Sequence, residues 1–249
     1  MAFGAIIIGD EILRGKRQDK HFAKLVALLG TRGLSLAWCR YLGDDPVRLT
    51  ACLRETFASG DVVFSFGGIG ATPDDHTRQC AAAALGVPLV LHPEAEALIR
   101  DRFGLEATAQ RLRMGEFPQG AEIVPNIYNR IPGFAVRAHW FVPGFPVMAW
   151  PMVEWVLDHR YAHLHHQVPE SEDSVIVYDA AESTLTPLME SIEARYRGLK
   201  VFSLPSVGDE VRGRHIELGV RGAPAEVSVA MEEIKRGVLA CGGRWEARG

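Results

Sequence analysis

Cysteine is scarce in this chain of 249 residues: Cys39, Cys52, Cys80 and Cys241 stand far apart and form no CxxC pair. That spacing signals neither a zinc knuckle nor a dithiol redox centre, and the four read as reduced core thiols. Blocks of lysine and arginine are also missing, with 27 basic against 31 acidic side chains and a net charge of −4. A protein built mainly to hold a phosphate backbone needs the opposite balance, so no nucleic-acid partner is expected. Long apolar runs are absent as well. The amino terminus, MAFGAIIIGDE, meets charge too early for a signal-peptide core or a membrane span. These absences lead us to expect a cytoplasmic protein with a small-molecule partner and no membrane contact.

What is present is ordinary for a soluble domain, 47% hydrophobic and 23% charged residues. The length suits one medium domain with a small companion, which we place at 1–166 and 173–249, joined by the polar stretch HHQVPESED.

The continuous apolar run at residues 2–8 ends in Gly9-Asp10-Glu11, as expected of a strand buried on both faces that opens into a loop. Phe22, Leu25, Val26 and Leu29 then recur at helical spacing, marking a buried helix face closed by Gly30 and Gly33. A strand near 34–42 follows, then a helix opened by Pro46, then the apolar strand Val62–Phe66 and a helix over roughly 75–85. This β, α, β, α, β order predicts a largely parallel sheet covered by helices on both faces, with ligands beyond the carboxyl ends of its strands. Residues 105–145 are rich in proline and glycine and yield no secure elements, and a helix resumes over about 146–164. In the tail, strands at 175–178, 199–204 and 214–220 and two amphipathic helices predict a small α+β domain.

Chemistry concentrates in FSFGGIGATPDDHT, residues 64–77. Gly67, Gly68 and Gly70 let the backbone turn sharply with uncovered amides before a helix start, which suits an anion such as phosphate. Close packing alone accounts for many such glycines. Thr72, Pro73 and Asp75 also fit a helix start, as N-cap, first position and an aspartate variant of the capping box. That explains one carboxylate but not the adjacent Asp74, since a second negative charge repels phosphate. Mg²⁺ resolves the conflict, because it is held by one or two carboxylates and bridges to phosphate oxygens. Asp10-Glu11 and Asp44-Asp45 stand after the first and second strands, so all three strands end in acids. Any one pair alone reads as a turn or a helix cap.

The order of GDEIL, GDD before a helix, and GGIGATPDDHT resembles the molybdopterin-binding domain shared by the competence/damage-inducible CinA proteins, the MogA and MoaB proteins and gephyrin. The match is closest to the CinA amino-terminal region, whose motif GGLGPTxDDxT is met at Gly67, Gly68, Gly70, Thr72, Asp74, Asp75 and Thr77. NRIPGF at 129–134 and FVPGFP at 141–146 are similar to the APGF and LPGVP segments of the family, and the tail is similar to its KH-like region. The resemblance implies a three-layer α/β/α fold with a mostly parallel sheet, a small KH-like α+β domain, and a dimer or trimer. It leads us to expect no counterpart of the amidase domain that ends long CinA proteins. It further implies Mg²⁺ and a ligand carrying phosphate, either a molybdopterin or a nucleotide. Asp44 and Asp75 are the expected catalytic residues, and Asp10, Asp44, Asp74 and Asp75 the expected metal ligands. Gly9, Gly67, Gly68, Gly70, Thr72, Thr77, Pro143 and Gly144 are expected to hold the ligand.

The chain departs from the family pattern. His21 replaces the usual asparagine, NIYNRIPGF lacks the glycine of NPxGTAPG, and Val-Met-Ala after Pro146 lacks the usual Glu-Met. Three readings follow: Mg²⁺-dependent hydrolysis of a nucleotide pyrophosphate such as ADP-ribose, adenylyl transfer to molybdopterin, and binding of a nucleotide or pterin without turnover. A metal site of His159, His163 and His166 is disfavoured, since a histidine-rich helix exit needs no metal. Ser65 is expected to satisfy a neighbouring backbone group, and Trp140, Trp150 and Trp155 to pack between the two domains. Asp209-Glu210 stands where a nucleic-acid-binding tail would want a basic loop.

Overall fold

The computed structural model describes residues 1–167, 171–208 and 213–248; Asp209, Glu210 and residues 168–170 of the expected linker lie outside them. The chain divides into two compact units, Met1–His165 and His166–Gly249.

In the first unit the order is β1 (Phe3–Ile8), α1 (Asp10–Leu13), α2 (His21–Gly30), β2 (Leu36–Leu42), α3 (Pro46–Ser59), β3 (Val62–Phe66) and α4 (Thr77–Leu85). There follow β4 (Leu89–Leu91), α5 (Pro93–Phe103), α6 (Ala109–Leu112), β5 (Glu116–Pro118), β6 (Glu122–Val124), β7 (Gly133–Val136), β8 (His139–Val142) and α7 (Pro146–Arg160). The central sheet runs β2-β1-β3-β8-β7-β6. Its β2, β1, β3 and β8 are mutually parallel, and β7 alone runs antiparallel, to both its neighbours β8 and β6. Strand β1 is buried along its length and feeds both faces by its pleat. Ala5 and Ile7 join the core under α2 and α7, while Ile6 and Ile8 join the one under α3 and α4. The result is a three-layer α/β/α domain, as expected.

Local chemistry sets the helix ends. The Asp45 carboxylate accepts from the amides of Val47 at 2.8 Å and Arg48 at 3.3 Å, Pro46 occupies the first turn, and Gly60 ends α3 in a left-handed conformation. Asp19 caps α2 in the same way, accepting from His21 N at 2.8 Å and Phe22 N at 3.1 Å.

Several expectations are corrected. The buried side of α2 is His21, Leu25, Leu28 and Leu29, so Phe22 and Val26 face outward; α2 lies rotated because His21 and Leu28 pack inward. Helix α4 starts at Thr77, since residues 72–75 close a separate turn. Trp140 is core, donating to the Tyr161 hydroxyl at 2.9 Å, and Trp150 and Trp155 pack on the same core of the first unit. Ser65 Oγ is buried and has no hydrogen-bond partner. The unassigned stretch 105–145 supplies β5 to β8, whose short strands are too brief to show a period.

Arg32 on α2 grips Asp158 on α7 with two bonds, 2.6 Å from Nε and 2.8 Å from Nη2. Because the carboxylate is 48% exposed, the pair is screened. We expect Arg32→Ala to cost about 1 kcal/mol in urea unfolding, with no effect on ligand binding.

The second unit comprises β9 (Ser171–Tyr178), α8 (Glu182–Arg195), β10 (Lys200–Ser206), β11 (His215–Gly222), α9 (Pro224–Ala240) and β12 (Arg244–Ala247). Its antiparallel sheet runs β10-β11-β9-β12. Val175, Val177, Leu218 and Val220 pack against Leu185 and Ile192 of α8 and Met231 and Ile234 of α9. Strand β12 was not foreseen from sequence. No helix of the described residues is long and apolar enough to cross a membrane.

Candidate functional site

The carboxyl ends of β1, β2, β3 and β8 open onto one cavity of about 420 Å³, a size suited to a small ligand. Two left-handed glycines make the turn after β3: Gly67 at φ 99° and Gly68 at φ 68°. A Cβ on Gly67 would lie 2.6 Å from the Ile8 carbonyl oxygen, and one on Gly68 only 2.2 Å from Thr77 Oγ1. Both positions therefore demand glycine for conformation and for space. The turn is tied down from beneath, with Gly67 N donating to Val142 O and Thr77 Oγ1 donating to Gly67 O, each at 3.0 Å.

The carboxylates are sorted by the local folding. Asp10 and Asp44 exchange bonds, Asp10 N donating to Asp44 Oδ2 at 2.9 Å and Asp44 N to Asp10 Oδ1 at 3.2 Å. The other Asp10 oxygen accepts from Arg14 at 2.7 Å. Asp10 is thus a clasp between the first two loops and does not line the cavity, whereas Asp44 does. Asp45 is spent on its helix, which leaves Asp44 as the site member of that pair. Asp75 Oδ2 accepts from both the amide and the hydroxyl of Thr72, the amide at 2.8 Å, closing the loop.

Asp44, Asp74, Asp75 and Glu11 all face the cavity. Burial pushes the Asp44 carboxyl above its ordinary range, and the charges of Asp10, Glu11 and Asp74 act the same way, partly offset by the bond from Asp10 N. Among the described residues no three His, Cys, Asp or Glu side chains form a complete metal cage. A hydrated Mg²⁺ does not need one, since one or two carboxylates with waters and ligand phosphate complete its shell. The mutual repulsion at Asp44 is relieved by a cation, so the donor set fits such an ion.

Of the predicted residues, Gly9, Asp44, Gly67, Gly68, Gly70, Thr72, Asp74, Asp75, Pro143 and Gly144 line this cavity together. Thr77 does not; it is fully buried beneath the turn. Sequence reasoning missed Arg17, a cation of the cavity wall, and Met114, whereas Asn129, Ile131 and Met148, which also line it, fall in the segments where the chain departs from the family pattern. It also missed Arg78, only 2% exposed, whose guanidinium donates to Gly70 O at 2.5 Å and to the carbonyl of Arg113. Arg78 so joins the glycine turn to the segment carrying Met114. Arg17 follows a glycine loop without a helical period, so only its nearness to Gly15 hinted at a role.

Residues 4–163 match the family model described as a probable molybdopterin binding domain. The chain belongs to this family. Among curated members, a CinA-like protein of Anaeromyxobacter sp. strain Fw109-5 is 33% identical over 97% of this chain and 63% of its own length. Another, from Anaeromyxobacter dehalogenans strain 2CP-C, is 38% identical over 63% of this chain and 40% of its own. The chain thus spans less than two thirds of these relatives. The crystal structure of a CinA protein of unknown function from Thermoplasma acidophilum superposes with a TM-score of 0.58 at 27% identity, covering 64% of this chain and 98% of that one. The molybdopterin-binding domain accounts for the first unit and leaves the small antiparallel unit outside its bounds.

Proposed function

We propose that this molybdopterin-binding-domain protein binds a phosphorylated nucleotide or pterin in the cavity and hydrolyses a nucleotide pyrophosphate such as ADP-ribose with Mg²⁺. One observation carries the reading: the glycine turn and the carboxylates of Asp44, Asp74 and Asp75 share a single cavity. The turn at Gly67 to Gly70 holds the phosphate, and Arg17 adds a positive charge. Asp74 and Asp75 would hold the ion, with the Asp75 carboxylate fixed by Thr72. When bound, Mg²⁺ supplies neutralisation of charge on the phosphoryl oxygens. Asp44, anchored through Oδ2, is left with Oδ1 to take a proton from the attacking water. Its raised proton affinity makes it a stronger base than an ordinary aspartate.

The test is incubation with ADP-ribose, FAD, ATP and NAD, with and without Mg²⁺, and analysis of the products. Metal-dependent release of nucleoside monophosphate is expected, reduced at least ~10-fold in Asp44→Asn, the upper end of loss for a single general base being larger. Activity should fall on the acid side as the Asp44 base takes up a proton. Cleavage of none of these substrates overturns the hydrolytic part. A second incubation with ATP and molybdopterin as acceptor that yields an adenylylated pterin would instead assign adenylyl transfer.

A further inference from the structure

Arg78 is a buried cation that the proposed chemistry does not use. It stands in the first turn of α4, and its hydrogen bonds go only to main-chain carbonyls, those of Gly70 at 2.5 Å, of Arg113, and of Glu116 at 3.4 Å. Among the described residues it bonds no carboxylate, and its buried Nε has no acceptor. Burying a guanidinium without a paired anion is costly. An apolar side chain would fill the space at lower cost, so the charge itself calls for an explanation.

The carbonyl that Arg78 holds belongs to a set. Thr77 Oγ1 donates to Gly67 O and Thr77 N to Gly68 O, each at 3.0 Å, and Gln110 Nε2 donates to Ala71 O at 2.6 Å. The peptides are trans, so each N–H points opposite to the carbonyl of its own plane. Holding the carbonyls of Gly67, Gly68 and Gly70 therefore turns the amides of Gly68, Ile69 and Ala71 away from those donors. Among the described residues none of these three amides has an acceptor, and all three residues line the cavity. Thr77 fixes the first two planes, and Arg78 fixes the third. A charged donor on a carbonyl also polarises its peptide, which makes the N–H at the other end a stronger donor.

Resting on the phosphate reading of the cavity, we infer that Arg78 is a positioning residue for the bound anion. It does not touch the ligand; it aims and polarises the Ala71 amide through the Gly70 carbonyl. The guanidinium charge reaches the anion through one peptide group, and the anion is the negative partner that the buried cation lacks. Lysine is no substitute, because an ammonium lacks the planar fork that holds the Gly70 and Arg113 carbonyls together.

The test is calorimetric titration of the full chain in Mg²⁺ with inorganic pyrophosphate and with ADP. Arg78→Lys and Arg78→Ala are expected to weaken both ligands by the same factor, at least ~10-fold or about 1.4 kcal/mol, because the phosphate end is common to the two. Low-millimolar guanidinium is expected to restore much of the affinity of Arg78→Ala, whereas methylammonium at the same concentration is not. A loss of packing alone is not repaired by a denaturing cation. Arg78→Lys keeps a charge and most of the volume, and it carries the comparison of the two ligands if Arg78→Ala does not fold. Wild-type affinity in either folded variant, a loss confined to ADP, or a loss in Arg78→Ala that guanidinium leaves unchanged overturns the positioning role while leaving the cavity as a phosphate site. If the wild type binds neither ligand, the phosphate reading fails, and the role of Arg78 fails with it.

Discussion

Gly68→Val is expected to abolish measurable binding of ADP and Mg²⁺, a loss of more than ~100-fold or about 2.8 kcal/mol, and to destabilise the first unit by roughly 1–3 kcal/mol. Two independent penalties meet at this residue. Its φ of 68° is left-handed, where a β-branched side chain is strained. Its Cβ would also fall 2.2 Å from Thr77 Oγ1. Thr77 cannot yield cheaply, because it is fully buried and its hydroxyl holds the Gly67 carbonyl at 3.0 Å. Relief therefore comes from moving the turn, which displaces the glycines that line the cavity. Gly15 is the control. Its φ of 69° matches that of Gly68, yet a Cβ there meets nothing within 4 Å. Gly15→Val should share the backbone strain and keep ADP binding. Titration calorimetry and urea unfolding of both variants check this, and wild-type affinity in Gly68→Val would remove the turn from the site.

The second large effect is a loss of stability in mild acid. His139 is buried at the start of β8, with Nε2 2.9 Å from Thr56 Oγ1 and the ring against Phe57. Burial, with the Arg137 charge acting the same way, lowers its pKa from 6.5 to about 4, opposed by Asp61. The folded pKa is depressed, so between these values the unfolded chain holds a proton that the folded one lacks. Stability is complete above about 6.5 and falls as the pH drops towards 4, by about 3 kcal/mol in all and roughly 2 by pH 5. His21 is also lowered, chiefly by burial, and adds in the same direction. Urea unfolding at pH 7 and pH 5 should show the fall in the wild type and a smaller one in His139→Gln, which keeps a group able to bond Thr56. Equal falls in the two proteins would mean that His139 does not carry the effect.

Much of the first unit was legible because its strands are apolar along their whole length and its helices carry unambiguous stops. Val62–Phe66 between Gly60 and Gly67 leaves little choice. The glycine turn was legible for a similar reason, since few backbones need such a cluster. The exact face of α2 was not, because His21 reads as polar yet is stacked on Phe66 and buried. The roles of the acids were only partly legible. Sequence shows pairs after three strands, but which member faces the cavity depends on competing backbone donors. Asp45 goes to the amides of α3, Asp10 to Asp44 N and Arg14, and Asp75 to Thr72. Arg78 was hidden outright: arginine is rarely buried, and its acceptors at Gly70 and Arg113 are far apart in sequence.

The strand order has a consequence for synthesis on the ribosome. Strands β1, β2 and β3 emerge before β8, so the outer edge of β3 has no partner until β8 arrives, with Val63 opposite His139. Throughout that interval Val63, Phe64 and Phe66 carry an apolar strand with one unpaired side, a template for joining other nascent chains. A release before residue 139 leaves this edge open for good. Fragments ending between β3 and β8 should therefore aggregate, whereas those extending through α7 close the sheet.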